Sequence, residues 1–97
     1  MVSSDTEKAV TVRIRGKVQG VWFRAWTVEQ ATRRNLRGWV RNRSDGSVEA
    51  LFVGDIDRVD DMIEACWQGP RAAKVESVKV SSADPVCRPG FAALATE

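Results

Sequence analysis

Val10, Val12 and Ile14 alternate with Thr11, Arg13 and Arg15, a period of two that predicts a half-buried strand. Gly16 and Gly20 bracket a loop, after which Trp22 to about Asn35 reads as a helix. Its inner stripe is expected at Phe23 and Trp26, continued by Gln30 or Ala31 and helped by Val28. Thr27, Val28 and Thr32 are weak helix formers, so tertiary packing must help to hold this helix. Asn35 suits the left-handed position that ends a helix, second only to glycine.

Farther along, Val48, Ala50 and Phe52 alternate with Glu49, Leu51 and Val53. This run and Gly38 to Arg43 flank Ser44-Asp45-Gly46, and two strands around Asp-Gly predict a β-hairpin. Asp55 can cap a second helix with apolar positions at Ile56, Val59, Ile63, Cys66 and Trp67, and Gly69-Pro70 stops it. Val75, Val78 and Val80 mark a fourth strand whose uneven spacing points to a bulge. Phe91 to Leu94 is a candidate for a short C-terminal edge strand, although its alanines are poor strand formers.

The order strand, helix, strand, strand, helix, strand is the split βαβ, ferredoxin-like arrangement (βαββαβ) of the α+β class. Right-handed crossovers place both helices on one face of a four-stranded antiparallel sheet. Strands one and two then run parallel, with strand three between them. The loop after strand one and the far end of strand two open at the same edge, which makes residues 16–24 and Asn42 neighbours. The fold alone does not decide function.

Composition narrows the function classes. A chain of 97 residues supports one domain and is too short for two. The net charge of +2 is too small to indicate nucleic acid and leans weakly towards small anions. No apolar run reaches membrane-spanning length, and Met1 to Lys8 lacks the apolar core of a signal peptide, so a cytoplasmic location is the default expectation. The chain has no histidine, and its two cysteines, Cys66 and Cys87, have no zinc-site spacing. Cys66 falls on an apolar helix face and reads as a buried thiol; a disulfide is disfavoured in a reducing compartment.

Candidate chemistry is concentrated in two segments. Gly16-Lys17-Val18-Gln19-Gly20-Val21-Trp22-Phe23-Arg24 joins a strand to a helix N-terminus. Glycines there allow successive backbone N–H groups to form a concave nest, the helix dipole adds positive potential, and Arg24 supplies a planar fork of donors. An anion, most simply a phosphate, fits such a site. The loop is not a Walker A sequence, because Gly20 is followed by Val21-Trp22, and it lacks the third glycine of a dinucleotide fingerprint. Glycine spacing alone leaves an ordinary turn with a solvated arginine as the more frequent explanation. The second segment is Gly38 to Gly46, in which Asn42 either serves the turn or takes part in a site.

Together, Gly-x-Val-Gln-Gly-Val-x-Phe-Arg and Gly-Trp-Val-x-Asn-x-x-Asp-Gly resemble the acylphosphatase family in order and spacing, over roughly residues 8 to 82. The resemblance implies one domain over residues 1–97, with 1–7 flexible, that hydrolyses the carboxyl–phosphate bond of small acyl phosphates. It assigns phosphate binding to Gly16, Lys17, Val18, Gln19, Gly20, Val21, Trp22, Phe23 and Arg24, and positioning of the attacking water to Asn42. It implies inorganic phosphate as product and competitive inhibitor, no metal or other cofactor, no nucleic-acid or membrane partner, and a monomer. The chain departs from the family pattern at Arg34 and Asn35, away from the site, and in its alanine-rich tail.

The residues present agree with that chemistry. The leaving carboxylate has a pKa of about 4 to 5, so it departs without a general acid. The proton of the attacking water can pass to a phosphoryl oxygen, which removes the need for a strong base. Positioning and charge stabilisation remain. A cysteine phosphatase needs Cys-x5-Arg, whereas four residues separate Cys66 from Arg71. An RNA-binding module of this fold would carry aromatic residues on its central strands, and here Phe52 stands alone. A non-catalytic regulatory domain is the third alternative, and the free-standing length argues against a module of a larger maturation enzyme. The sequence leaves Trp22 either a rim aromatic of the site or an exposed surface residue.

Overall fold

The alternating segment Glu7–Lys17 forms β1, and the hairpin consists of β2 (Arg37–Asn42) and β3 (Val48–Asp55). Helices α1 (Phe23–Arg33) and α2 (Ile56–Gln68) follow β1 and β3, and β4 (Lys74–Ser82) and β5 (Phe91–Ala93) complete the chain. The computed structural model describes residues 6–85 and 88–97. The strand order is β4-β1-β3-β2-β5. β3 lies antiparallel between β1 and β2, β4 pairs antiparallel with β1, and β5 pairs parallel with β2.

Val10, Val12 and Ile14 of β1, Val40 of β2, and Val48, Ala50 and Phe52 of β3 share one face of the sheet. Phe23 and Ala31 of α1 and Val59, Met62 and Cys66 of α2 belong to the same buried cluster, so both helices cover that face. The other face carries Thr11, Arg13, Trp39, Arg41 and Glu49 in register around Leu51. Leu51 and Val53 are nonetheless buried on that side.

The expected four antiparallel strands are corrected to five in a mixed sheet. β2 would otherwise present an unpaired edge, and the tail satisfies it: Gly38 N donates to Gly90 O (3.1 Å) and Leu94 N to Val40 O (2.8 Å). Phe91 also stacks on Phe52, with ring centroids 5.7 Å apart. Edge pairing and one aromatic anchor thus override the weak strand propensity of Ala92 and Ala93.

The helix faces differ in detail from the expected stripes. In α1 the buried positions are Phe23, Thr27 and Ala31, whereas Trp26 and Val28 are only partly buried. Thr27 can be buried because its hydroxyl donates to the Phe23 carbonyl (2.8 Å). In α2, Val59, Met62 and Cys66 face the core, Ile63 is partly buried, and Trp67 is 47% exposed. The expected caps are present. Asp55 accepts a hydrogen bond from Asp57 N (3.0 Å), and Asn35 adopts a left-handed φ of 56° beyond α1. The register against β1 slips between Arg15 and Gly16, which leaves Glu76 as the extra residue of a bulge and turns Val75 and Val78 to the core.

Candidate active site

β1 ends in a sharp exit. Gly16 has φ 127°, and a Cβ there would stand 2.2 Å from the Lys74 carbonyl oxygen, so only glycine fits. Val18, Val21 and Phe23 then point into the core and anchor the loop from beneath. Gln19 ties it sideways: its Nε2 donates to the carbonyls of Arg43 (2.8 Å) and Ser47 (2.9 Å) in the β2–β3 hairpin. Gly20 and Trp22 both turn left-handed, at φ 73° and 65°. For a tryptophan that backbone conformation costs on the order of 1 to 2 kcal/mol.

Those turns leave the loop's amides available. Among the described residues, none of the loop and cap hydrogen bonds uses a backbone N–H between Gln19 and Ala25. Trp22 occupies the N-cap of α1 without a capping side chain, and the first turn holds no acidic residue. An uncapped helix N-terminus beneath a left-handed nest is electropositive and rich in donors, and an anion satisfies both features.

Arg24 and Asn42 meet at this point. Val18, Gly20, Trp22, Phe23, Arg24, Ala25, Asn42 and Ala93 line one cleft of about 550 Å³. Arg24 is half-buried, its Nη1 lies 3.5 Å from the Leu94 carbonyl, and it forms no ion pair among the described residues. Its fork therefore remains available to a bound anion. Asn42 pairs with buried Val48 and has the same strand parity as Val40, so it sits on the helix side of the sheet. The turn does not depend on its side chain. Asp45 accepts from both Ser47 N (2.9 Å) and Ser47 Oγ (2.6 Å), while the Asn42 carbonyl accepts from Glu97 N (3.1 Å).

Of the residues expected at the site, six line the cleft; Gly16 and Lys17 belong to the end of β1, Gln19 ties the loop, and buried Val21 anchors it. Sequence reasoning missed Ala93, Leu94 and the side-chain role of Gln19. Only the motif flagged Gln19, and the candidate edge strand at Phe91 to Leu94 carries no local sign that it reaches the site, because its approach depends on sheet pairing.

Other reactive groups lie elsewhere. Burial pushes the Cys66 thiol up from 9.0 to about 12, against the opposing pull of Arg34. It is a core residue without thiolate character. Cys87 lies outside the described residues. Among the described residues no three His, Cys, Asp or Glu side chains gather as a metal site. Two arginines on the open sheet face are paired: Arg13 with Asp45 (3.4 Å) and Glu49 (3.5 Å), and Arg15 with Asp45 (3.6 Å). Hydrogen bonds from Ser47, then these arginines, hold the Asp45 carboxyl below its ordinary range.

A two-layer α+β domain whose glycine-bearing loop, unpaired arginine and Asn42 line one cleft has the make-up of a small protein with a site for an anion. The acylphosphatase family model matches residues 10–93. An acylphosphatase of Rhizorhabdus wittichii is 55% identical over 80 residues, 82% of this chain and 81% of the relative. An acylphosphatase structure from Coxiella burnetii aligns with a TM-score of 0.90 at 33% identity, covering 94% of this chain and 96% of that one. One from Bacillus subtilis aligns at 0.85 and 32% identity, covering 89% and 97%. The chain belongs to the acylphosphatase family. Its activity is accordingly that of an acylphosphatase, with an acyl phosphate as substrate and inorganic phosphate as product.

Proposed function

We propose that the loop amides and Arg24 hold the phosphoryl group while the Asn42 carboxamide orients the attacking water. The water oxygen forms a bond to phosphorus, the bond from phosphorus to the acyl oxygen breaks, and the carboxylate departs with the electron pair. One water proton passes to a phosphoryl oxygen and the other remains on the attacking oxygen. Arg24 and the nest offset the phosphoryl charge throughout, so the leaving group needs no acid and the water no strong base. The observation that carries this reading is the meeting of Arg24, Asn42 and the unused amides in one cleft.

In this reading no metal takes part, and the enzyme works as a cytoplasmic monomer on a small molecule, without nucleic-acid or membrane partners. The low net charge of +2 supports the absence of a nucleic-acid partner.

Asn42→Ala tests the division of labour. A water-positioning group matters mainly in the transition state, whereas Arg24 grips substrate and product alike. With benzoyl phosphate in EDTA, kcat should fall about 10²-fold, roughly 3 kcal/mol, while phosphate inhibition changes little. An unchanged kcat in the folded variant removes Asn42 from the mechanism.

A further inference from the structure

The cleft has a wall that phosphoryl chemistry does not use. Trp22 is 83% exposed, the most exposed large apolar side chain described, yet it lines the same cleft as Arg24 and Asn42. Its neighbours Val21 and Phe23 are buried, and its φ of 65° breaks the local direction of the chain. A left-handed backbone is unusual for so bulky a residue, and here it accompanies an indole that stands at the cleft, outside the core.

An in-line displacement sends the acyl group away from the water held by Asn42. Apart from Arg24 and Asn42, the cleft lining consists of glycine and apolar residues, with Ala25 and Ala93 leaving room beside the indole. Arg24 is its one cation and is occupied by the phosphoryl group in the reading above. A further carboxylate on the acyl group would find no partner there. An aromatic ring would stack on indole, and a short aliphatic chain would cover less of it.

We propose that Trp22 is the specificity-determining wall of an acyl subsite that takes an uncharged, apolar and preferentially aromatic acyl group. The proposal rests on the phosphoryl-site reading of Arg24 and the loop. Its test is the ratio of kcat/KM for benzoyl phosphate to that for acetyl phosphate, which cancels any loss shared by both substrates. Trp22→Gly and Trp22→Asn both accept the left-handed backbone and should lower this ratio about tenfold. Trp22→Phe should largely keep it, as should Trp67→Ala on α2, outside the cleft lining. An unchanged ratio in Trp22→Gly and Trp22→Asn overturns the acyl subsite, and so does an equal loss on both substrates. Arg24→Lys should lower both activities with the ratio preserved. If Arg24→Lys keeps full activity, the phosphoryl-site reading falls and takes the subsite with it.

Discussion

Arg24 is suited to a phosphoryl group by shape as much as by charge. Lysine would keep the charge but present a point donor, and the planar fork would be lost. Arg24→Lys should therefore lower kcat/KM for acyl phosphates by on the order of 10²-fold and weaken phosphate inhibition, as steady-state kinetics on the folded variant would show. Cys66 makes the opposite case, a reactive atom silenced by burial. Its folded pKa of about 12 lies above the ordinary 9.0, so the stability it contributes is complete below pH 9 and lost as pH rises towards 12. In a Cys87→Ala background, unfolding free energy should fall through that window by up to about 1.4 kcal/mol per pH unit, and Cys66→Ala should flatten the slope. Denaturant titrations at pH 8, 9.5 and 10.5 would measure it. Arg24 and Asn42 were legible as candidates because the motif that proposes their roles rests on residue type at fixed spacing, and the fold brings both to one cleft. The left-handed turn of Trp22 was not, since residue type argues against it.

Elements place those residues, and the join between two elements matters most here. Gln19 links the nest to the hairpin through two carbonyl acceptors, so the loop carrying the amides and the strand end carrying Asn42 are held together. Gln19→Ala would remove both bonds, leaving the Arg43 carbonyl with Gly46 N (3.1 Å) and the Ser47 carbonyl with Arg43 N (2.8 Å) as their remaining donors. We expect a stability loss of about 1 to 2 kcal/mol and a roughly tenfold weaker phosphate inhibition, from denaturation and competition kinetics. Strand alternation and the caps at Asp55 and Asn35 were readable because they are local. In α1 Phe23 and Ala31 are buried as their spacing predicts, whereas Thr27 takes the place expected of Trp26 because its hydroxyl is satisfied on the helix backbone, which makes a polar residue a core residue. Similarly, Met62 displaces Trp67 from the face of α2, where spacing allowed either.

At the scale of the whole molecule, the tail joins stability to the site. β5 extends the sheet beyond β2, Phe91 stacks on Phe52, Ala93 lines the cleft, and the Leu94 carbonyl faces Arg24. Phe91→Ala should destabilise the fold by about 2 kcal/mol, below the range for a fully buried phenylalanine because this ring is partly exposed. Since the same segment walls the cleft, kcat/KM for benzoyl phosphate should fall as well. Chemical denaturation and kinetics on one preparation would separate an effect on both from loss of stability alone.

The sequence by itself determined the elements in order, the antiparallel hairpin, the glycine-bearing nest and the pair Arg24 and Asn42, because each depends on short-range periodicity or on motif spacing. Tertiary structure alone decided the parallel pairing of the candidate edge strand with β2, the burial of Thr27 in α1 and the place of Ala93 in the cleft. The physical reason is the same in all three. An alanine-rich tail becomes a strand when an unpaired edge and an aromatic ring are waiting for it, and a threonine becomes core when a carbonyl is within reach. Such partners lie far apart in the chain or depend on the folded backbone, so residue order does not display them.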